Sequence, residues 1–62
     1  MAFSENLKKA RLNAGLTQQQ IADALNVDRT TIAQYERGFS TPQFKNISKL
    51  CEILKISVDE LL

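Results

Sequence analysis

The sequence predicts an all-α fold, a compact domain of five short helices. Apolar residues recur at spacings of three and four, which is typical of helices that bury one side. Capping residues precede several of these runs, and Gly or Pro stands near the ends of others. β-Branched residues are scattered and nowhere alternate over more than a few positions, so strands are not expected.

Size and composition narrow the possible functions. The 62 residues allow a single domain, taken as residues 1–62, and 44% of them are apolar, which is enough for a core. With no His and one Cys, the chain cannot form an internal disulfide and has too few ligands for a thiol or imidazole metal site. Paired carboxylates around a pocket and Gly-rich phosphate loops are also missing. We therefore expect no enzyme, no metal, no cofactor and no small-molecule ligand.

Hydropathy along the chain indicates a protein that stays in the cytoplasm. No apolar run approaches the roughly 20 residues of a membrane span. The N-terminal residues also lack the continuous apolar stretch of a signal peptide.

The first helix is predicted over about residues 4–14. Phe3, Leu7 and Ala10 recur at helical spacing, and the lysines of this segment fall on the other side. Gly15 then supplies a residue that tolerates the left-handed backbone common at helix ends, so the helix is expected to stop there.

Three later helices begin with one shared pattern, in which an apolar residue precedes the capping residue and another follows four positions after it. The three sets are Leu16, Thr17 and Ile21; Val27, Asp28 and Ile32; and Ile56, Ser57 and Leu61. In each, the cap's side-chain oxygen is expected to accept from first-turn amides, inside a hydrophobic staple. Gln20 and Glu60 stand where they would complete a capping box. These starts predict helices over about 17–25, 29–37 and 58–62.

A fourth helix in chain order is predicted over about 43–54. Thr41-Pro42 is expected to begin it, with Pro42 in the first turn, where its missing N–H costs nothing. The apolar stripe of this helix consists of Phe44, Ile47, Leu50, Cys51 and Leu54. We interpret Cys51 as a core residue because it lies on this stripe.

The second and third predicted helices form a helix-turn-helix candidate, since only Leu25-Asn26-Val27 separates them. Ala22 is small where the two helices need to approach closely. Asn26 tolerates the positive φ that such a turn requires. Ile32 and Tyr35 are expected to point into the core.

The other face of the third helix is a candidate recognition surface. Thr30, Ala33, Gln34 and Arg37 lie at positions i, i+3, i+4 and i+7, with Arg29 at the leading edge. Arg and Gln can form two hydrogen bonds with guanine and adenine edges, Ala permits close approach, and Thr can touch a thymine methyl. Taken alone, these residues would favour the alternative of an ordinary solvated helix face.

Several short sequence motifs, spread over nearly the whole chain, together resemble those of a known family. They are Leu7-Lys8-Lys9-Ala10-Arg11, Gly15-Leu16-Thr17-Gln18, Ile21-Ala22, Thr31-Ile32, Tyr35-Glu36-Arg37-Gly38 and Ile56-Ser57-Val58-Asp59-Glu60-Leu61-Leu62. In these the chain resembles the Cro/phage-repressor type of helix-turn-helix domain, which is lambda-repressor-like. The resemblance implies that double-stranded DNA is the partner and that the motif runs from about residue 18 to 37.

The resemblance assigns roles to individual positions. Arg29, Thr30 and Gln34 match the family's base-reading positions, and Ala33 is expected to join them because its small side chain lets the helix sit deep in the groove. The residues expected to bind phosphates are Thr17, Gln18, Arg37, Ser40, Thr41, Gln43 and, from its place near the start of the fourth helix, Lys45. Arg11 and Glu36 match a structural ion pair that joins the first helix to the end of the third.

Two positions depart from the family's pattern. Asn26 stands at the turn position most often filled by Gly. Phe39 follows Gly38, where polar or basic residues are more usual. Phe39 is expected either to pack on its own loop or to lie against the sugar–phosphate backbone of DNA.

The last helix indicates a contact between two copies. One helical turn cannot bury all of its apolar residues, and related repressor domains use this helix and the end of the fourth for a two-fold contact. We therefore expect a weak homodimer through Ile53, Val58, Leu61 and Leu62.

Together these features predict a sequence-specific regulator of transcription, a repressor that reads a pseudo-palindromic operator with its third helix in the major groove. It is expected near the nucleoid of a bacterial or phage-infected cell, as a stand-alone regulator or as the N-terminal part of a longer one. The alternative is a protein-interaction module such as an antitoxin-like domain. Such a module would bind a partner through its C-terminal apolar patch and tolerate substitution of Gln34.

Overall fold

The structure is a computed structural model that describes residues 2–62, and all regular structure within that range is helical. The helices are α1 (Phe3–Asn13), α2 (Gln18–Leu25), α3 (Arg29–Arg37), α4 (Phe44–Leu54) and α5 (Val58–Leu61). The predicted all-α fold is confirmed, and each helix lies within one residue of its predicted bounds.

The core is built around one fully buried aliphatic side chain from each helix. These are Leu7, Ile21, Ile32, Leu50 and Leu61. Helices of 4 to 11 residues are marginal on their own in water, so packing around this centre is what holds them. The short α5 packs against both α1 and α4, and Asn6 Nδ2 donates to the Leu61 carbonyl at 3.1 Å. An edge-to-face contact between Phe3 and Tyr35, with ring centres 6.4 Å apart, adds a link from α1 to α3.

Two of the three predicted side-chain caps are present. Thr17 Oγ1 accepts from the Gln20 amide at 3.0 Å, and Gln20 Oε1 accepts from the Thr17 amide at 2.8 Å, which completes the predicted capping box. Ser57 Oγ accepts from the Glu60 amide at 3.2 Å. The Glu60 side chain does not return a bond to Ser57, so this second box is only half formed and its prediction is wrong in that respect.

Three further details of the predicted helix starts are wrong. Asp28 makes no side-chain cap, and the Thr31 amide donates to the Asp28 carbonyl at 2.9 Å instead. Pro42 lies before the N-cap of α4 and not in its first turn. Pro42 is buried, as is Ile47, and the two occupy the positions of a hydrophobic staple. Phe44 was predicted on the buried stripe, but it is the first residue of α4 and is 68% exposed, since the buried side of this helix begins one turn later at Ile47.

Four helices are followed by a residue with left-handed backbone. Gly15 and Gly38 have φ angles of 72° and 80°, Asn26 has 62° and Lys55 has 58°. In each case the next amide donates to the carbonyl five positions back, over 2.9–3.1 Å. The positive φ predicted at Asn26 is confirmed, whereas nothing in the sequence pattern marked Lys55.

Cys51 is buried on the inner side of α4, as predicted. Burial raises the pKa of its thiol above the ordinary value, and the nearby negative charge of Glu60 raises it further. The neutral thiol is a poor nucleophile, which agrees with a role in packing.

Lys55→Gly is expected to stabilise the domain. A left-handed conformation costs a non-glycine residue about 1–2 kcal/mol, of which the greater chain entropy of glycine in the unfolded state takes back part. We expect the free energy of unfolding, measured by urea denaturation, to rise by about 0.5–1 kcal/mol. Asn26→Gly is the matched control and should gain less, because Asn tolerates this backbone better than Lys. A loss of stability in Lys55→Gly would contradict the assignment of strain to this residue.

Candidate nucleic-acid interface

A tight turn holds α2 and α3 together. Asn26, with φ 62° and ψ 46°, ends α2, and the Val27 amide donates back to the Ala22 carbonyl at 2.9 Å. Ala22 is fully buried, so its small side chain lets the two helices approach closely. Ile21 and Ile32 are buried completely and anchor α2 and α3 in the core. The turn and the core together fix α3 in one orientation.

The side of α3 that faces away from the core carries the predicted recognition residues. Arg29, Thr30, Gln34 and Arg37 are exposed, and Ala33 is half-buried. On the inner side, Ile32 and Tyr35 are buried, as the spacing predicted. The predicted base-reading residues therefore share one outward face that contains no acidic side chain.

The predicted phosphate-binding residues lie near the two ends of α3. Thr17 and Gln18 stand at the start of α2, and Gln18 contacts both Arg29 at the start of α3 and Glu36 near its end. The remaining candidates, all of them exposed, lie at the end of α3, in the α3–α4 loop and at the start of α4: Arg37, Ser40, Thr41, Gln43 and Lys45. Gln18 differs from the rest because it is half-buried and bonded to other side chains.

Backbone donors at the start of α4 were missed by the sequence analysis. Gln43 makes no side-chain cap, and within residues 2–62 the amides of Phe44 and Lys45 donate to no protein acceptor. The signal for them existed, because every helix begins with amides that lack intrahelical partners. A helix start with free amides favours anions such as phosphate.

The predicted ion pair between Arg11 and Glu36 is present. Arg11 Nε lies 2.7 Å from Glu36 Oε2, and Arg11 Nη2 lies 3.2 Å from Glu36 Oε1, so the two planar groups meet through two bonds. Their side chains are only 11% and 5% exposed. Arg11 Nη1 also donates to the Leu16 carbonyl at 3.0 Å. One guanidinium thus joins α1, the segment before α2, and the end of α3.

The ion pair continues outward through two more side chains. Gln18 Nε2 donates to Glu36 Oε1 at 3.1 Å, and Gln18 Oε1 accepts from Arg29 Nη1 at 3.4 Å. In the sequence, the ion pair, Gln18 and Arg29 are separate features. Their connection depends on how α2 and α3 are placed relative to each other, so no sequence pattern indicates it.

Phe39 is 74% exposed, so it does not pack on its own loop. Of the two expectations for this residue, only contact with a sugar–phosphate backbone stays open, as a prediction.

The expected dimer contact is only partly available at the surface. Leu61 is completely buried inside the chain, because α5 packs against α1 and α4, so its expected role in a contact between two copies is wrong. Leu62 is 53% exposed, and Ile53 and Val58 are half-buried. These three residues are what remains of the expected surface.

Other possible sites are few. An open groove of about 390 Å³ runs between α1 and the α4–α5 corner, lined in part by Asn6, Lys9, Leu54 and Glu60. Across residues 2–62, no group of His, Cys, Asp or Glu side chains is arranged to hold a metal ion. The helices of this same range are all too short or too polar to cross a membrane.

Residues 7–61 match a protein-family model described as helix-turn-helix, of the Cro/C1 type. The chain is 45% identical over 60 residues to YqaE, an HTH-type transcriptional regulator of Bacillus subtilis, covering 97% of this chain and 52% of that protein. The chain spans about half the length of the curated relatives that it matches, such as YqaE and the SPbeta prophage-derived regulator YonR.

Solved structures of similar proteins share the fold. A transcriptional regulator from Listeria innocua superposes with a TM-score of 0.90 at 36% identity, over 98% of this chain and 57% of its own. The restriction-modification controller protein C.AhdI from Aeromonas hydrophila superposes with a TM-score of 0.88 at 33% identity, over 97% of this chain and 91% of its own.

Glu36→Gln is expected to lower the free energy of unfolding by about 2 kcal/mol, because it leaves the nearly buried Arg11 guanidinium without its charged partner. In a domain of this size, such a loss corresponds to a fall of about 8–16 °C in the thermal midpoint. The control is Glu52→Gln, on an exposed part of α4, where we expect a change within about 0.5 kcal/mol. An unchanged midpoint in Glu36→Gln would show that the pair does not support the fold.

Proposed function

Because the chain belongs to the Cro/C1-type helix-turn-helix family of transcriptional regulators, we propose that it binds double-stranded DNA sequence-specifically through α3 and thereby represses transcription. The observation that carries the proposal is the outward face of α3. That helix is fixed by a buried side and a tight turn, and its exposed side carries only residues suited to reading bases. A DNA-binding domain that occupies a promoter excludes RNA polymerase from the same site, which gives repression.

The dimensions of α3 suit the major groove. With its side chains, a helix such as α3 is about 10–12 Å across, and the major groove is about 12 Å wide. We assign bidentate base contacts to Arg29, which suits guanine, and to Gln34, which suits adenine. The small Ala33 allows the helix to approach the base edges, and the Thr30 methyl group can contact a thymine methyl.

Contacts with phosphates would hold this helix in register. The proposed side-chain contacts are Thr17, Gln18, Arg37, Ser40, Thr41, Gln43 and Lys45. The amides of Phe44 and Lys45 add donors at the start of α4. Since these groups lie near both ends of α3, they would grip the backbone on either side of the groove. The exposed Phe39 ring would then cover a deoxyribose between them.

Two copies would bind one operator. A weak symmetric dimer through Ile53, Val58 and Leu62 would place two α3 helices in successive major grooves, about 34–36 Å apart, on a pseudo-palindrome. Burial of the exposed Leu62 side chain supplies part of the driving force.

Arg29→Ala is expected to relax sequence preference. Selection from random duplex DNA at about 0.1 M salt should first yield a two-fold symmetric motif with half-sites one helical turn apart. Against that motif, Arg29→Ala should cost about 1–3 kcal/mol in binding free energy and lose the preference at one base pair, as measured by fluorescence anisotropy. Lys45→Ala is the control and should weaken binding to all sequences alike.

Two results would count against these assignments. If Arg29→Ala weakened all sequences equally, Arg29 would be a phosphate contact. If the selection enriched no motif, the proposed DNA reading would fail and the protein-interaction module would be favoured.

Leu62→Asn is expected to weaken self-association. Sedimentation equilibrium at millimolar protein should detect dimer in the wild type, and the substitution should shift the equilibrium toward monomer by removing exposed apolar surface from the contact. Leu12→Asn is matched to it, since Leu12 is 59% exposed on α1 and lies outside the proposed surface. Monomer alone in the wild type, or equal effects of both substitutions, would contradict the proposed dimer.

A further inference from the structure

Gln18 lies between two opposite charges. Its side-chain amide nitrogen donates to the Glu36 carboxylate at 3.1 Å, and its amide oxygen accepts from the Arg29 guanidinium at 3.4 Å. The carboxylate can only accept hydrogen bonds and the guanidinium can only donate them. A flipped amide would therefore place oxygen against the carboxylate and nitrogen against the guanidinium, and both contacts would be repulsive. The two charges together fix the orientation of Gln18.

Glu36 can impose this orientation because it is itself immobilised. Two bonds from Arg11 hold its carboxylate, and Arg11 is held in turn by the Leu16 carbonyl. Exposure increases along the series, from 5% and 11% for the ion-paired side chains to the exposed Arg29. The series therefore runs from a rigid, nearly buried ion pair to a side chain at the protein surface.

The amide of Gln18 also has one donor to spare. A glutamine amide has two N–H groups, and only one of them is used by Glu36. The other N–H is free to bind a phosphate oxygen while the carbonyl oxygen still holds Arg29. One side chain can thus contact the DNA backbone and orient a neighbouring base-reading residue at the same time.

We infer that Glu36 is a positioning residue for Arg29, acting through the Gln18 amide. Base discrimination by Arg29 then depends on Gln18 and Glu36, neither of which needs to touch a base. This inference rests on the proposed function, since it assumes that Arg29 reads a base pair.

The test compares two duplexes, one with the selected operator and one with the base pair read by Arg29 replaced. The quantity measured is the ratio of the two dissociation constants. For the wild type we expect a ratio of about 5 to 150, the range for a good bidentate contact. The fraction of folded protein is the same for both duplexes and cancels from the ratio, so a merely destabilising substitution leaves the ratio unchanged.

Gln18→Ala separates positioning from phosphate binding. We expect it to weaken binding to both duplexes and also to reduce the ratio by about 2- to 10-fold, the range for losing one intramolecular hydrogen bond. Gln43→Ala is the control, because Gln43 is also a proposed phosphate contact but makes no side-chain bond to α3. It should weaken both duplexes and leave the ratio at the wild-type value. An unchanged ratio in Gln18→Ala would overturn the inference.

Glu36→Gln tests the residue one step further from the DNA. A neutral amide at position 36 can no longer dictate which way the Gln18 amide points, so the ratio should fall as it does in Gln18→Ala. In Gln18→Ala itself, adding Glu36→Gln should produce no further fall, because the connection to Arg29 is already broken. A ratio that stays at the wild-type value in Glu36→Gln, or that falls further in the double variant, would overturn the role of Glu36.

A measurement without DNA distinguishes failure of this inference from failure of the proposed function. Nitrogen-15 relaxation of the side-chain amides should show Gln18 ordered and the exposed Gln43 mobile. Gln18 should become as mobile as Gln43 in Glu36→Gln. If the wild type does not distinguish the two duplexes although its Gln18 side chain is ordered, the proposed DNA-binding function fails, while the orientation of Gln18 by Glu36 and Arg29 is retained. A wild-type Gln18 as mobile as Gln43 would overturn the inference even if the protein binds its operator.

Discussion

Five short helices have to share one small core, and this constraint governs the rest of the molecule. Isolated helices of 4 to 11 residues are unstable, so each helix depends on the contacts of its large, fully buried aliphatic residue. Truncating such a residue to Ala typically removes about 2–5 kcal/mol, which is a large part of the stability of a small domain. Truncating any one of these five residues is therefore expected to destabilise the whole domain. Because each helix is held on its inner side alone, the outer side of α3 is free to carry polar residues.

A polar cluster beside this core connects the fold to the surface. Arg11 and Glu36 are nearly buried, and such a pair stabilises a fold only when its remaining hydrogen-bonding capacity is satisfied. Here the Leu16 carbonyl and the Gln18 amide supply those bonds. Over residues 2–62, every buried side-chain nitrogen and oxygen has a partner. The cluster thus avoids the cost of an unpaired buried charge, and its outer end lies on the proposed DNA-binding face.

Features that depend on residues close together in the sequence could be predicted, whereas several that depend on tertiary contacts could not. Helix bounds and the left-handed Asn26 were predicted because they depend on residues a few positions apart. Leu61 was placed wrongly, since its burial depends on the packing of α5 against α1, which is distant in sequence, as well as against α4. Phe44 lies at the helical spacing of the buried stripe but is exposed at the first position of α4, so spacing alone does not show where the buried stripe begins. Lys55 ends α4 with a left-handed backbone that its residue type does not favour, so residue type alone does not predict it. The link from Glu36 to Arg29 leaves α3, passes through Gln18 of α2 and returns to α3, so it has no local sequence signal.

The exposed side chains of α3 differ in how much conformational freedom they would lose on binding DNA. Within the described residues, the side chains of Thr30 and Gln34 have no hydrogen-bonding partner, whereas Arg29 is held by Gln18. Immobilising a flexible side chain at an interface costs about 0.5–1.5 kcal/mol of free energy. For Arg29, part of this freedom is already lost on folding, because Gln18 holds its side chain. For Gln34, all of it would be lost on binding DNA, so an equally good base contact would contribute less net affinity. If α3 binds DNA as proposed, substitution of Gln34 or Thr30 changes the bases that are read without disturbing the fold, whereas a change at Arg29 also removes a contact with Gln18.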